Sequence, residues 1–169
     1  MRKFAMAAVL TSIVLLPAVS QAGLVVEGSL GKGGQVSSPR QWERINFMVA
    51  PGVSILKILR LQLGIVGDFA DTSHSTTDLE LRPMVTIVAP LLPIYGRAIF
   101  AIANLAGRGG AKREFAYGAA GGLRFGLGPV GIFGEVGVLP RSREFPNGTG
   151  TSSKFVWIIE GRVGAYLEF

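Results

Sequence analysis

The sequence has no cysteine and a single histidine, His74, among its 169 residues. The first absence excludes disulfides, thiolate zinc sites, cysteine nucleophiles and a lipidated cysteine. The second excludes a histidine-rich metal cluster. Charged residues are sparse, at 17% against 49% hydrophobic residues, and a disordered chain needs the opposite balance. The formal charge is +6, yet no basic cluster exceeds two residues, so the footprint expected for nucleic acid is missing. The 24 glycines follow no three-residue period, which excludes collagen. The length predicts one domain, and no cofactor is expected.

The amino terminus reads as a targeting segment. Arg2 and Lys3 precede an uncharged, mostly apolar run from Phe4 to Leu16 that Pro17 ends. Ser20-Gln21-Ala22 supplies small residues for cleavage after Ala22, which is the secretory pattern. The expected division is a cleaved signal peptide over 1–22 and one domain over 23–169. An uncleaved anchor fits less well, because the run is short of the roughly 20 residues of a membrane-spanning helix.

Beyond Ala22 the hydrophobic pattern has period two, the signature of strands. In the last fifteen residues Phe155, Trp157, Ile159, Gly161, Val163, Ala165, Leu167 and Phe169 share one face. Ile158, Glu160, Arg162, Gly164, Tyr166 and Glu168 share the other. The same reading predicts eight strands: about Leu24–Lys32, Arg44–Ala50, Leu59–Phe69, Leu79–Val88, Ile94–Asn104, Phe115–Leu127, Val130–Leu139 and a last one ending at Phe169. Compact turns are expected at Pro51-Gly52, Pro90 to Pro93 and Gly128-Pro129. Longer polar connections are expected over Gly33–Glu43, Ala70–Asp78, Leu105–Glu114 and Pro140–Lys154. Short turns on one side and long loops on the other are the wiring of an antiparallel up-and-down transmembrane β-barrel.

One face of each strand is large and apolar, the other small or charged. In a transmembrane barrel the apolar face meets lipid and the charges point inward. Phe69, Phe115, Tyr117, Phe155 and Trp157 near the long-loop ends, with Phe125 and Phe169 near the others, suggest interfacial girdles. The inward charges are Glu27, Glu80, Glu135 and Glu160 against Arg60, Arg82, Arg97, Arg124 and Arg162. Near balance predicts a lumen ion-pair network, and eight strands leave an interior that side chains can fill.

The final run, Gly161 to Phe169, resembles the carboxy-terminal assembly signal of bacterial outer-membrane proteins, which end in an aromatic residue with apolar residues at every second position before it. Val163, Ala165, Leu167 and Phe169 carry that resemblance. It implies recognition by the barrel-assembly machinery, with periplasmic chaperones serving during biogenesis. The size and strand count also resemble the small eight-stranded OmpA/OmpX-like barrels. That likeness implies a monomer in the outer membrane of a Gram-negative bacterium, in contact with outer-membrane lipid and lipopolysaccharide.

The expected function is non-enzymatic: a barrel with a plugged polar lumen serving membrane integrity, adhesion or lipid contact. Arg108, Lys112 and Arg113 in one loop, and Arg141 and Arg143 in another, are candidates for lipopolysaccharide phosphates. Three alternatives stay open. The first is a barrel-type lipid A-modifying esterase with His74 as base, flanked by Ser73 and Ser75 and near Asp71 and Asp78. The second is a soluble periplasmic β-barrel carrying an apolar ligand. The third is a helical membrane protein built on the apolar stretch Met84–Ala106, which Pro90, Pro93 and Gly96 interrupt. Gly121-Gly122 and the run Gly126–Gly137 lack the lysine and following helix of a phosphate loop.

Overall fold

The computed structural model describes residues 22–36, 42–68, 79–103, 105, 114–147 and 150–169. Eight strands run in chain order around a closed barrel, each antiparallel to the next, with the last pairing to the first. They are β1 (Ala22–Gln35), β2 (Trp42–Ile55), β3 (Leu59–Asp68), β4 (Leu79–Val88), β5 (Ile94–Ala103), β6 (Glu114–Leu127), β7 (Val130–Asn147) and β8 (Gly150–Glu168). The seam runs from Val25 opposite Glu168 to Gln35 opposite Ile158, so closure leaves no free edge along it.

Period-two alternation puts large apolar side chains outside and polar ones inside. Leu24 is 64% and Val163 65% exposed on the wall, whereas Glu27 and Arg60 are each 2% exposed in the lumen. In water this arrangement is inside out, but hydrocarbon favours it, since backbone and charges are then satisfied internally. The soluble carrier, which needs its apolar faces in the interior, is overturned. So is the helical alternative: Met84 to Ala103 lies in β4, its turn and β5. Phe115, Tyr117, Phe155 and Trp157 point outward toward one end, and Phe125 and Phe169 toward the other.

Two expected connections differ from the structure. Pro51-Gly52 is not a turn, because β2 continues through it to Ile55. Proline has no N–H, and the β2–β3 pairing skips Pro51, resuming at Gly52 opposite Gln62 after Val49 opposite Ile65. Pro83 is handled alike, in a gap between Leu81 opposite Ile102 and Met84 opposite Ile99. Nor is Pro140–Lys154 a loop: β7 and β8 stay paired from Leu139 opposite Ile158 out to Asn147 opposite Gly150. Beyond Ala119 opposite Val138 the β6–β7 pairing stops, so this hairpin stands above the barrel as a two-stranded ribbon. The expected loops Ala70–Asp78 and Leu105–Glu114 lie largely outside the described residues.

The β2–β3 turn is closed by the Ile58 N–H donating to the Ile55 carbonyl at 3.1 Å. Its central residues, Leu56 and Lys57, both have positive φ, at 55° and 58°. Right-twisted hairpins want such mirror-image turns, but Asn-Gly suits them far better than Leu-Lys. At the β6–β7 turn, Gly128 takes the positive φ, 68°, at no steric cost. Changing Leu56→Asn together with Lys57→Gly should stabilise the folded barrel by about 1–2 kcal/mol. Urea unfolding in lipid should show the higher midpoint, and an unchanged midpoint would contradict the turn conformation.

Candidate functional site

The lumen is organised by a ladder of alternating charge. Starting at the short-turn end, Arg124 (β6) meets Glu168 (β8) at 3.2 Å. Glu168 also pairs with Arg60 (β3) and accepts from the Ser54 hydroxyl (β2) at 2.5 Å. Arg60 reaches Glu27 (β1) at 3.1 Å, and Glu27 holds Arg97 (β5) at 2.6 Å. Arg97 continues to Glu135 (β7) at 3.2 Å. Glu135 approaches Arg162 (β8) at 4.0 Å, the longest step of the series. Arg162 pairs with Glu160, which takes Arg82 (β4) at 2.8 Å. Arg82 then meets Glu80 at 2.5 Å, and Glu80 takes Arg141 (β7) at 2.7 Å. Each of the five glutamates thus lies between two of six arginines.

Neutral groups complete the coordination. The Tyr95 hydroxyl donates to Glu135 at 2.8 Å, and the Arg97 Nε donates to Thr86 at 2.9 Å. Asn46 accepts from Arg162 at 2.5 Å and donates to Glu160 at 3.4 Å. Tyr166 is flanked by cations, with Arg60 at 4.9 Å and Arg124 at 4.4 Å from its ring centroid, a favourable arrangement with the ring quadrupole. Glycines make the room: a Cβ at Gly31 would come within 2.8 Å of Arg162 and Glu160, and one at Gly131 would strike the Tyr166 ring. Beside the ladder, Met48, Val66, Met84, Ile99 and Leu139 fill the lumen with apolar side chains. The space left between Glu27, Arg60, Arg97 and Tyr166 is about 10 Å³, roughly room for one water.

The structure therefore brings Glu27, Arg60, Glu80, Arg82, Arg97, Arg124, Glu135, Glu160 and Arg162 into one connected series. Two members were missed. Glu168 lies on the inner face by simple alternation and went uncounted. The sequence pattern places Arg141 in a loop as a candidate for lipopolysaccharide, but β7 carries it inward to Glu80. Arg143 lies in β7, and its side chain is outside what the structure describes. Arg108, Lys112, Arg113 and His74, with its serine and aspartate neighbours, are outside the described residues. The inward apolar cluster does not follow from the charge pattern, since Met48 and Met84 are large apolar residues at inner positions. Among the described residues no group of histidine, cysteine and carboxylate side chains is arranged to hold a metal.

A buried charge that loses its partner costs about 3–5 kcal/mol, whereas a half-exposed one costs far less. Glu160 is 4% exposed, and its loss takes a carboxylate from two arginines at once, leaving Arg82 with Glu80 and Arg162 with Glu135 at 4.0 Å. Arg141 ends the ladder with its side chain 13% exposed, and its loss leaves Glu80 paired with Arg82. Glu160→Gln should thus destabilise the barrel by about 3–5 kcal/mol and Arg141→Ala by clearly less. Urea unfolding midpoints in detergent or lipid test this order, and equal, small effects would mean that the lumen is freely solvated.

No protein-family model and no curated protein matches the sequence. Solved structures do match in fold. Neisserial surface protein A superposes with a TM-score of 0.54 at 11% identity, over 88% of this chain and 97% of that one. The outer-membrane protein AlkL gives 0.52 at 12% identity, over 88% and 90%. The N-terminal β-barrel domain of Pseudomonas aeruginosa OprF gives 0.50 at 12% identity, over 85% and 97%. The chain has the fold of the small eight-stranded outer-membrane barrels.

Proposed function

We propose that the protein is a non-enzymatic barrel of the bacterial outer membrane, closed to bulk solute, that anchors and displays its loop-side surface. The observation that carries this reading is the ladder: eleven paired charges and an apolar cluster occupy the lumen, and the space left between Glu27, Arg60, Arg97 and Tyr166 is about 10 Å³. Ion pairs buried this way resist rearrangement, because opening a path strands charges. The β7–β8 ribbon, projecting beyond the apolar band, is the part most available to a surface partner.

The same reading gives Val163, Ala165 and Leu167, outward on β8, and Phe169 just after it, the role of a signal to the assembly machinery. In the folded barrel Phe169 is 73% exposed to its surroundings, and its backbone N–H donates to the Leu24 carbonyl at 2.9 Å. Phe169→Asp should lower outer-membrane levels in cells while leaving refolding from urea into detergent intact. Normal cellular insertion of that variant would remove the signal role.

Planar-bilayer recording tests closure. Purified wild-type protein should give no stable, large conductance steps. Reproducible porin-like steps from a monomeric preparation would overturn the plugged-lumen reading.

A further inference from the structure

Among the side chains that the structure describes, Lys32 on β1 is the one charged group on the outward face of the strands. It lies opposite Gly161 of β8 and Ile45 of β2. Its ammonium sits 5.7 Å from the ring centroid of Trp42, an exposed aromatic of the kind found at a membrane interface. An outward lysine in an apolar wall is unfavourable near the bilayer midplane and tolerable near an interface, where an anion can meet it.

Below Lys32 the wall is hollowed. A groove of about 1480 Å³ crosses β7, β8 and β1, with Phe47 of β2 and Leu123 of β6 as its sides. Its floor includes Gly28 and Gly161, where an added Cβ would meet nothing within 4 Å. The contrast with Gly31 and Gly131 is informative: those glycines make room for the protein's own side chains, whereas these make room outside it. Glycine weakens a strand and often marks a site where something approaches the backbone closely.

We propose that this groove binds one lipopolysaccharide molecule, with a lipid A phosphate on Lys32 and an acyl chain along the glycine floor. The occupant follows from charge and side. Lys32 needs an anion, and the groove needs a hydrocarbon chain covalently tied to it. Lys32 is near the end of β1 opposite the short turns, the end that faces the exterior in barrels of this wiring, where the phosphorylated saturated lipid is lipopolysaccharide. The inference deepens the outer-membrane reading above and rests on it. It moves the lipopolysaccharide contact from the loops to the wall.

Purified full-length protein in mild detergent, titrated with bis-phosphorylated lipid A and followed by native mass spectrometry, tests the site. Wild type should bind one lipid A, and Lys32→Gln should weaken binding about five- to tenfold. Gly161→Leu should abolish it. Val85→Leu, outward on β4 and no part of the groove lining, should bind as wild type. All variants should keep heat-modifiable migration as evidence of folding. Phosphatidylglycerol should compete poorly; equal binding would replace lipopolysaccharide with phospholipid and overturn the assignment. Wild-type binding by Gly161→Leu, or a dimer lost in that variant with no lipid bound by the parent, would also overturn it. Fractionation of the producing cells separates the two claims. Recovery with the outer membrane alongside unaltered binding by Gly161→Leu defeats the groove alone. Recovery elsewhere defeats the location on which it rests.

Discussion

Every guanidinium enclosed by eight strands must find a carboxylate, and most of the interior follows from that requirement. The lumen is narrow, water is scarce, and an unpaired charge there costs several kcal/mol. Glutamates therefore occupy bridging positions, each between two arginines, while tyrosine rings, amides and hydroxyls satisfy the remaining donors. Glycines such as Gly31 and Gly131 are needed because the ladder's long side chains take up the space. A few donors stay without partners, among them the Arg60 Nε and the Arg124 Nη1.

The distribution of charge over the strands bears on closure. Within the ladder, β3 to β7 bring Arg60, Arg82, Arg97, Arg124 and Arg141 together with Glu80 and Glu135. The seam strands β8 and β1 supply Glu27, Glu160 and Glu168 with Arg162. Before the seam closes, the ladder residues of these central strands thus carry an excess of positive charge, and closure brings the carboxylates of β1 and β8 to them. The interactions that plug the lumen are then the ones that complete the barrel, which ties a closed pore to a stable one. Function on this view is displaced to the wall and to the ribbon above it.

The strands and their faces were legible because each strand has one face against lipid and the other against a filled lumen, so period two is written into the residues. The nine inward charges first counted follow from that parity, and Glu168 follows from it as well. The ribbon was hidden for the converse reason. Beyond the apolar band neither of its faces meets hydrocarbon, so Pro140 to Lys154 shows no alternation and looks like a loop. Pro51-Gly52 misled because a proline in a strand forfeits a hydrogen bond to one neighbour only, a loss the barrel absorbs in a short break of the β2–β3 pairing at Ala50 and Pro51. Which arginine pairs with which glutamate was not legible, since it depends on how strands distant in sequence face each other across the lumen. Arg97 and Glu27, for example, are 70 residues apart in the chain.

The most direct test of the ladder is a double-mutant cycle on Arg82 and Glu160, partners across the lumen from β4 and β8. Arg82→Met, Glu160→Gln and the double variant would be unfolded in urea in the same lipid. The account predicts that the double variant loses less stability than the sum of the single losses, with a coupling of about 1–3 kcal/mol. Strict additivity would mean that the two charges do not interact, and the lumen would not be held by its ion pairs.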